Sequence, residues 1–447
     1  YGEGLYDRFD WDIPMYGEYG VQETRLIDGK ETVVNVIRIY GTWDESHTKV
    51  IYDPNPPQGG IPGTAPKDPN EYTIWHSEVP VAARGETANV DPNMVVRSKI
   101  ENVDVNWYDV RQAPFSIHGL YEPLTEPYFR RVPAEVADAT SEGVGLLAQE
   151  SAGGRVRFST DSAYVAIRAK FRVVGRSPHL TLLSSSGFDL YEDGEFGSRF
   201  IREFRMPYDM TDTYEAVLGV DVKAGTMRSF TINFPVHAVV EKLEVGLHPD
   251  ARLGTARPYR DILPIAFYGS SIVHGTAAGR PGLIYPAIIS RDLNMDFYDI
   301  GFSGQAKGEA VLAKWMATLP MSVFVCDYDY NAPTPDHLAA THYPLYEIIR
   351  EKNPDLPYLM VTRPNFWTQP CSEDDIFRRR EVVMASYLKA RQNGDKNVYF
   401  VDGLSFGMVS HTYDLTMDSI HPNDAGFLRM ADCIGLVIKH ILEFFGF

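Results

Sequence analysis

The stretch Leu263–Gly275, LPIAFYGSSIVHG, contains a short apolar run that ends at a glycine and is followed at once by two serines. Short apolar runs bounded by turn residues are typical of fully buried strands. Five such runs occur in the last part of the chain, and a longer segment with helical periodicity follows each of them. The runs are Leu263–Gly269, Phe297–Phe302, Ser322–Tyr328, Pro357–Thr362 and Val398–Gly403, and the helical segments are Gly282–Asn294, Gly308–Leu319, Leu338–Lys352, Asp374–Gln392 and Ala425–Phe445.

This alternation predicts an α/β domain over residues 259–447, with a parallel sheet in a three-layer α/β/α arrangement. In open sheets of this kind, ligands bind outside the carboxyl ends of the strands. Reactive side chains that directly follow the five strands are therefore the candidates for a functional site.

The preceding region, residues 116–258, alternates apolar and polar residues with a period of two. Tyr164–Phe171, Ser229–Phe234 and Glu241–Leu247 show this pattern, and Asp193-Gly194 is a hairpin signal. Short alternating strands separated by turns predict a β-sandwich.

Residues 1–115 are rich in Pro, Gly, Asp and Tyr and lack helical periodicity. The segment Asp53–Asn70 predicts a long loop, because Pro and Gly interrupt both helices and strands. The segment Thr32–Gly41 is strand-like. We expect an irregular β-rich N-terminal extension here.

The chain has 447 residues, which predicts two or three domains. Its formal net charge of -18 argues against nucleic acid and anionic membranes as partners. No apolar segment reaches the length of a transmembrane helix. The chain begins with Tyr1 and not with Met, which we interpret as trimming, either of a signal peptide or for recombinant expression. The compartment, bacterial cytoplasm or secreted and periplasmic, stays open, and a homo-oligomer is possible.

Cysteine usage gives no sign of a metal or disulfide framework. Cys326, Cys371 and Cys433 are far apart in sequence and show no paired spacing. We expect buried structural thiols, because free cysteines are among the most buried residues.

Four sites after the predicted strands carry candidate chemistry, although each has an ordinary structural interpretation when taken alone. Ser270 and Ser271 follow the first strand, where a serine commonly caps a helix. A glycine-bracketed turn, Gly301–Gly304, follows the second strand, and Asn331 follows the third.

The fourth site lies just before the last helix. Asp418 and His421 are three residues apart, a spacing that lets a short loop present both side chains to one neighbour. A histidine in this position could act as a general base with the aspartate holding its ring. The four sites occur in chain order after strands of one sheet, which the ordinary interpretations do not predict.

These four sites resemble the four sequence blocks of the SGNH (GDSL-type) hydrolase superfamily. The resemblance implies a flavodoxin-like hydrolase domain in which Ser271 is the nucleophile and Asp418 and His421 complete a catalytic triad. It further implies that the backbone of Ser271, Gly304 and the side chain of Asn331 form the oxyanion hole. No metal or organic cofactor is implied.

The upstream region supports this resemblance. Gly187, Asp189, Leu190 and Tyr191 form a G-x-D-L-Y pattern similar to that of the jelly-roll-like β-sandwich in one bacterial branch of these hydrolases. In the first block Ser270 replaces the usual Asp, and the third block lacks its Gly and trailing Asp. Ser270 therefore remains an alternative nucleophile.

The substrate is indicated less directly. The branch with this β-sandwich resembles carbohydrate esterases that remove acetyl groups, so we expect a small-molecule or glycan ester. Candidate substrate contacts lie beyond the third and fourth strands and on the first helix, each with core, rim or ion pairing as the alternative: Tyr328, Tyr330, Arg363, Trp367 and His274. Arg363 in particular could pair with Asp327 or Asp329 instead.

Three other functions stay open at this point. A lipase or thioesterase for longer acyl chains would use the same triad, and so would an acyltransferase to a sugar acceptor. A catalytically silent glycan-binding protein is the third alternative, although it would have no reason to keep all three triad residues.

Overall fold

The computed structural model describes residues 103–195, 197–220, 226–364, 373–407 and 414–446, together with residue 100 and short backbone strands within the first 80 residues. The chain divides into two compact units, Tyr1–Val95 and Val96–Phe447. The segment Asp53–Asn70, for which we expect a loop, lies outside the described residues.

The first unit contains short antiparallel sheets. Strand β1 (Gly17–Ile27) pairs with β2 (Lys30–Ile39), and β2 pairs in turn with β5 (Val79–Pro80). A separate pair is formed by β3 (Thr42–Trp43) and β4 (Val50–Ile51). The strand-like pattern at Thr32–Gly41 corresponds to β2.

The second unit begins with a β-sandwich of two antiparallel sheets. One sheet has the order β11-β10-β13-β8-β15 with β7 also on β8, and the other has the order β12-β9-β14-β6. The strands are β6 (Asn106–Asp109), β7 (Ser116–His118), β8 (Arg155–Thr160), β9 (Tyr164–Val173), β10 (Phe188–Gly194), β11 (Gly197–Phe204), β12 (Thr213–Gly219), β13 (Arg228–Asn233), β14 (Val239–Leu247) and β15 (Leu253–Gly254).

The alternation read from the sequence places apolar side chains between these two sheets. Val165, Ile167 and Ala169 of β9 and Phe230 and Ile232 of β13 all lie in one buried cluster, because alternate residues of a strand face the same side. Strand β6, which precedes residue 116, pairs with β14. The sandwich therefore starts earlier in the chain than the sequence pattern suggested.

Two short helices lie within the sandwich segment of the sequence but pack elsewhere. Helices α1 (Ala134–Thr140) and α2 (Glu142–Leu147) contribute Ala137 and Val144 to a core cluster of the following domain. Their position in the sequence would assign these helices to the sandwich. Their apolar side chains instead cover the α/β domain, and this packing decides to which domain they belong.

The α/β domain contains the predicted parallel sheet, with the strand order β17-β16-β18-β19-β20. The strands are β16 (Ile265–Gly269), β17 (Phe297–Gly301), β18 (Val323–Asp327), β19 (Tyr358–Val361) and β20 (Val398–Val401), and the helices that follow α3 (Leu182–Ser186) are α4 (Ser271–His274), α5 (Tyr285–Leu293), α6 (Ala310–Met316), α7 (Pro335–Lys352), α8 (Glu373–Gln392) and α9 (Asp424–Phe444). This order, 2-1-3-4-5, is that of flavodoxin-like sheets.

Helices cover both faces of this sheet. Leu312 of α6, Leu338 of α7 and Val383 of α8 belong to the cluster on one face. Tyr285 of α5 and Phe427 of α9 belong to the cluster on the other. The prediction of a three-layer α/β/α domain preceded by antiparallel β-structure is confirmed.

The described cysteines are free and partly or fully buried. Cys326 lies in β18, where burial raises the pKa of its thiol to about 12, and Cys433 is half-buried in α9. Cys371 lies outside the described residues. None of the helices in the described ranges combines the length and the apolar content that a membrane span requires.

Buried hydrogen bonds connect the G-x-D-L-Y segment of the sandwich to the α/β domain. Asp189 of β10 is fully buried, and its Oδ2 accepts hydrogen bonds of 2.9 Å from both the Arg280 guanidinium and the Gly282 backbone N–H. Its Oδ1 accepts a bond of 2.7 Å from Asn233 Nδ2. The Arg280 guanidinium also donates to the Tyr191 hydroxyl. The aspartate and the tyrosine of the motif therefore hold one segment of the neighbouring domain.

This arrangement predicts a large loss of stability for Asp189→Ala. Removing one partner of a buried ion pair leaves the other without compensation, which typically costs about 3–5 kcal/mol. Urea denaturation monitored by fluorescence measures the change. The matched control is Arg205→Ala, which removes a 2.7 Å ion pair to Glu203 in which the arginine side chain is 81% exposed. Exposed ion pairs contribute only about 0–1 kcal/mol. Equal losses of unfolding free energy in the two variants would therefore contradict the proposed contribution of Asp189 to the contact between the domains.

Candidate active site

The turn after β16 decides which of the two serines is presented to the site. Ser270 has extended backbone angles, is completely buried, and accepts a 3.2 Å hydrogen bond from the Ile272 N–H with its Oγ. It is the N-cap of α4. Ser271 is the first residue of this helix and retains 8% exposure. Of the two candidates, only Ser271 therefore directs its hydroxyl toward the histidine described next.

The loop before α9 brings a histidine to Ser271. His421 Nε2 lies 2.9 Å from Ser271 Oγ, and His421 Nδ1 lies 2.7 Å from Asp418 Oδ2. The other oxygen of Asp418 accepts the backbone N–H groups of Ile420 and His421 at 3.1 and 2.8 Å. The carboxylate oxygen on Nδ1 makes that nitrogen the donor, so Nε2 can accept the serine proton.

The tight D-x-x-H turn depends on Ser419, the first of the two residues between Asp418 and His421. Ser419 has a φ of 70°, in the left-handed region that few residues other than glycine adopt. Asn423 closes the loop from the other side, since its Oδ1 caps α9 by accepting the Gly426 N–H at 3.1 Å and its Nδ2 donates to the Asp414 carbonyl at 2.6 Å. Asn423 is therefore the N-cap of α9.

Asp418 remains charged at neutral pH. Burial opposes the charge, but the hydrogen bonds from the backbone and ring of His421 and from the Ile420 N–H outweigh it and hold the pKa of the carboxyl below its usual value. A permanent carboxylate at this position stabilises the imidazolium that forms when His421 takes up a proton.

The residues expected in the oxyanion hole lie on the turns after β17 and β18. Gly304 has a φ of 69°, so the turn requires glycine at this position. Asn331 Nδ2 donates to the Phe302 carbonyl at 2.7 Å, which ties the two turns together. A side-chain amide has two N–H groups, and this bond uses one of them. The Phe302 N–H donates to the Gly269 carbonyl at 2.9 Å, which links this turn to β16.

The expected substrate contacts are only partly compatible with their positions. Tyr328 is 1% exposed, its hydroxyl lies 2.8 Å from Thr341 Oγ1, and its ring stacks on His342. It is a core residue, because an aromatic side chain packed on all sides cannot reach a substrate. His274 is also completely buried, with Nδ1 at 3.0 Å from Ser303 Oγ. Neither of these buried side chains can therefore contact a substrate.

Tyr330 and Arg363 lie together. The Arg363 guanidinium is 4.0 Å from the centre of the Tyr330 ring and 3.7 Å from Asp375 Oδ2. The Arg363 backbone N–H donates to Asp329 Oδ2 at 2.9 Å. Of Asp327 and Asp329, the two expected partners of Arg363, Asp329 is bound, and it is bound by the backbone N–H of Arg363 and not by the guanidinium. Trp367 lies outside the described residues.

Sequence reasoning missed a cluster behind the active-site turns. Glu150 and His237 from the sandwich segment meet His274, and their ligand-type atoms lie within 4.8 Å of one another. Such a set could hold a metal ion by spacing alone. However, Arg131 Nη2 lies 3.4 Å from His274 Nε2, and a cation at this distance opposes a metal, so we assign no metal site. No local motif marks Glu150 or His237, since they are distant in sequence from the four blocks.

Comparisons with known families agree with this architecture. Residues 263–439 match the family described as "GDSL-like Lipase/Acylhydrolase family". Residues 105–253 match the domain described as "N-terminus of Esterase_SGNH_hydro-type". No curated protein sequence matches the chain closely enough to count as a relative.

Solved structures show the same fold. A protein from Bacteroides ovatus, described as a GDSL-like lipase, is 26% identical with a TM-score of 0.69, covering 76% of this chain and 98% of its own. A salicylyl-acyltransferase from a tetracycline biosynthetic pathway is 21% identical with a TM-score of 0.59, covering 74% of this chain and 95% of its own. A family two carbohydrate esterase from Cellvibrio japonicus is 9% identical with a TM-score of 0.50, covering 76% and 98%. At such low identities, the last two likenesses concern the fold alone.

The predicted superfamily is thus confirmed over both domains. The chain carries a GDSL-like lipase/acylhydrolase domain behind a G-x-D-L-Y domain, and it belongs to the SGNH (GDSL-type) hydrolase superfamily.

Proposed function

We propose that this protein is a serine esterase that removes short acyl groups, foremost acetyl, from a carbohydrate. One observation carries the proposal of ester hydrolysis: the continuous chain of contacts from Asp418 through His421 to Ser271, with distances of 2.7 and 2.9 Å. A carboxylate, an imidazole and a hydroxyl in this order form the arrangement that activates a serine nucleophile.

In the first half of the proposed reaction, Ser271 Oγ attacks the ester carbonyl carbon while its proton passes to His421 Nε2. The tetrahedral oxyanion accepts hydrogen bonds from the backbone N–H groups of Ser271 and Gly304 and from the Asn331 amide. The intermediate collapses, the C–O bond to the alcohol breaks, and His421 gives its proton to the departing alkoxide. Asp418 holds the imidazolium throughout.

In the second half, a water molecule attacks the acyl-serine and gives a proton to His421. A second tetrahedral intermediate forms in the same oxyanion site. It releases the carboxylic acid when the proton returns to Ser271 Oγ. The proposed reaction uses side chains of the chain itself and water.

The carbohydrate substrate is the finer part of the proposal. It is supported by the G-x-D-L-Y sandwich, which resembles the branch that contains carbohydrate esterases, and by the fold shared with the Cellvibrio japonicus enzyme. Tyr330 and Arg363 are the remaining candidates for substrate contacts among the described residues. Transfer to an acceptor other than water is the second candidate, because the salicylyl-acyltransferase shares the fold.

The two adjacent serines provide a matched test of the nucleophile. Ser271→Ala and His421→Ala are expected to lower kcat on p-nitrophenyl acetate by at least about 10⁴-fold, because the triad acts as a unit. Ser270→Ala is expected to remain an active esterase but to lose about 1 kcal/mol of stability through the missing cap. Steady-state kinetics and thermal denaturation measure both effects. An inactive Ser270→Ala with a fully active Ser271→Ala would reverse the assignment.

The acyl group and the acceptor are tested with two panels of substrates. A series of p-nitrophenyl esters from C2 to C12 should give the highest kcat/KM at C2, and acetate should be released from at least one of acetylated xylan, mannan, pectin or acetylated monosaccharides. A maximum at C8 or longer would favour the lipase alternative. Mass spectrometry of products formed with an added sugar acceptor separates hydrolysis from transfer, and acylated acceptor as the main product would refute hydrolysis.

A further inference from the structure

A closed ring of hydrogen bonds lies next to Ser271 and Gly304, the residues whose backbone N–H groups are the proposed oxyanion donors. Glu150 Oε2 is 3.2 Å from His237 Nδ1, and His237 Nε2 is 3.0 Å from Thr276 Oγ1. Thr276 Oγ1 is 3.1 Å from Ser303 Oγ, which is 3.0 Å from His274 Nδ1. His274 Nε2 returns to Glu150 Oε2 at 2.9 Å. Two members come from the sandwich segment and three from the α/β domain.

The partners fix where the hydrogens of His274 lie. Its Nε2 faces the Glu150 carboxylate and, at 3.1 Å, the Val236 carbonyl, which can only accept. Nε2 must therefore carry the hydrogen. Burial, followed by the charge of Arg131, lowers the pKa of His274 to about 3, so this ring is neutral and its Nδ1 has no hydrogen. Nδ1 accordingly accepts from the hydroxyl of Ser303.

The positions of the remaining hydrogens can be derived by following the hydrogen bonds around the ring from Ser303 to His237. Ser303 has used its only hydroxyl hydrogen, so the contact with Thr276 requires the threonine to donate. Thr276 in turn can only accept from His237, so His237 Nε2 carries a hydrogen. His237 Nδ1 faces the Glu150 carboxylate and carries one as well. With Glu150 ionised, all five contacts are satisfied together only when both ring nitrogens of His237 carry a hydrogen.

The charges around the ring fit this state. Burial alone would raise the pKa of Glu150, but the hydrogen bonds from the rings of His237 and His274 outweigh it and hold that pKa below its usual value. The other charged groups that face the cluster are Arg131 and Asp299, which pair with each other at 3.3 Å. Each cationic group thus has a carboxylate partner.

The ring touches both backbone elements of the proposed oxyanion hole. The Thr276 N–H donates to the Ser271 carbonyl at 2.9 Å, at the helix turn that begins with the nucleophile. Ser303 directly precedes Gly304, whose turn has a φ of 69°. Fixing the hydroxyls of Thr276 and Ser303 therefore restricts both backbone donors.

We propose that Glu150 and His237 of the sandwich segment, acting through Thr276, Ser303 and His274, are positioning residues that hold the oxyanion hole in its active geometry. The kinetic consequence of this role rests on the proposed esterase function, while the arrangement of hydrogens in the ring does not. The sandwich is in this sense part of the active site, although neither residue touches the substrate.

Replacement of the threonine tests the kinetic consequence with a matched pair. Thr276→Val keeps the size of the side chain but removes the hydroxyl, and it is expected to lower kcat on p-nitrophenyl acetate by about 10²-fold with little change in KM, because displaced oxyanion donors affect the transition state. Thr276→Ser keeps the hydroxyl and should restore kcat to near the wild-type value. Unchanged kcat in a folded Thr276→Val, or a Thr276→Ser as impaired as the valine variant, would overturn the positioning role.

Nuclear magnetic resonance tests the ring independently of activity. In wild-type protein labelled with ¹⁵N-histidine, two-bond correlations at neutral pH should show both ring nitrogens of His237 protonated and His274 as the neutral Nε2–H tautomer, with His237→Gln used for assignment. A His237 ring with only one proton would overturn this arrangement of hydrogens. So would zinc bound stoichiometrically to the purified protein in elemental analysis. If wild-type protein hydrolyses no ester, the proposed function fails, and the nuclear magnetic resonance result still decides the ring.

Discussion

The hydrogen bond between Ser271 Oγ and His421 Nε2 joins residues 150 positions apart in sequence, and the parallel sheet makes their contact possible. The carboxyl ends of parallel strands meet at one edge, and the turn after β16 and the loop before α9 approach each other there, with β18 and β19 between β16 and β20. The turns after β17 and β18 lie at the same edge. The proposed chemistry therefore depends on long-range folding and not on a local motif.

A second constraint is the attachment of the sandwich. Asp189 takes hydrogen bonds from Arg280 and Gly282 across the junction, and Glu150 and His237 reach the turns of the α/β domain at a different place. Two separate sets of buried polar contacts across one junction hold the domains in a defined orientation, because each set leaves uncompensated charge if it opens. This explains why the G-x-D-L-Y segment carries a charged residue at a completely buried position.

Much of the fold could be predicted from the sequence because the relevant signals are local. The five buried strands and their helices follow from apolar periodicity, and the positions of the two serines after the first strand and of Asp418 and His421 before the last helix make them candidates. The choice between Ser270 and Ser271 requires the structure, since it depends on which hydroxyl caps α4. The burial of Tyr328 and His274 could not be predicted from the sequence either, because it depends on how α7 and the sandwich pack against the sheet. The contribution of Glu150 left no sequence signal, since its partners come from other segments.

Covalent labelling tests most directly whether Ser271 is an activated nucleophile. Phenylmethylsulfonyl fluoride reacts with a serine whose proton is removed by a neighbouring base, and peptide mass spectrometry locates the adduct. The account predicts stoichiometric labelling of Ser271, none at Ser270, and loss of labelling in His421→Ala. An adduct on another serine, or labelling of Ser271 that persists without His421, would contradict the account.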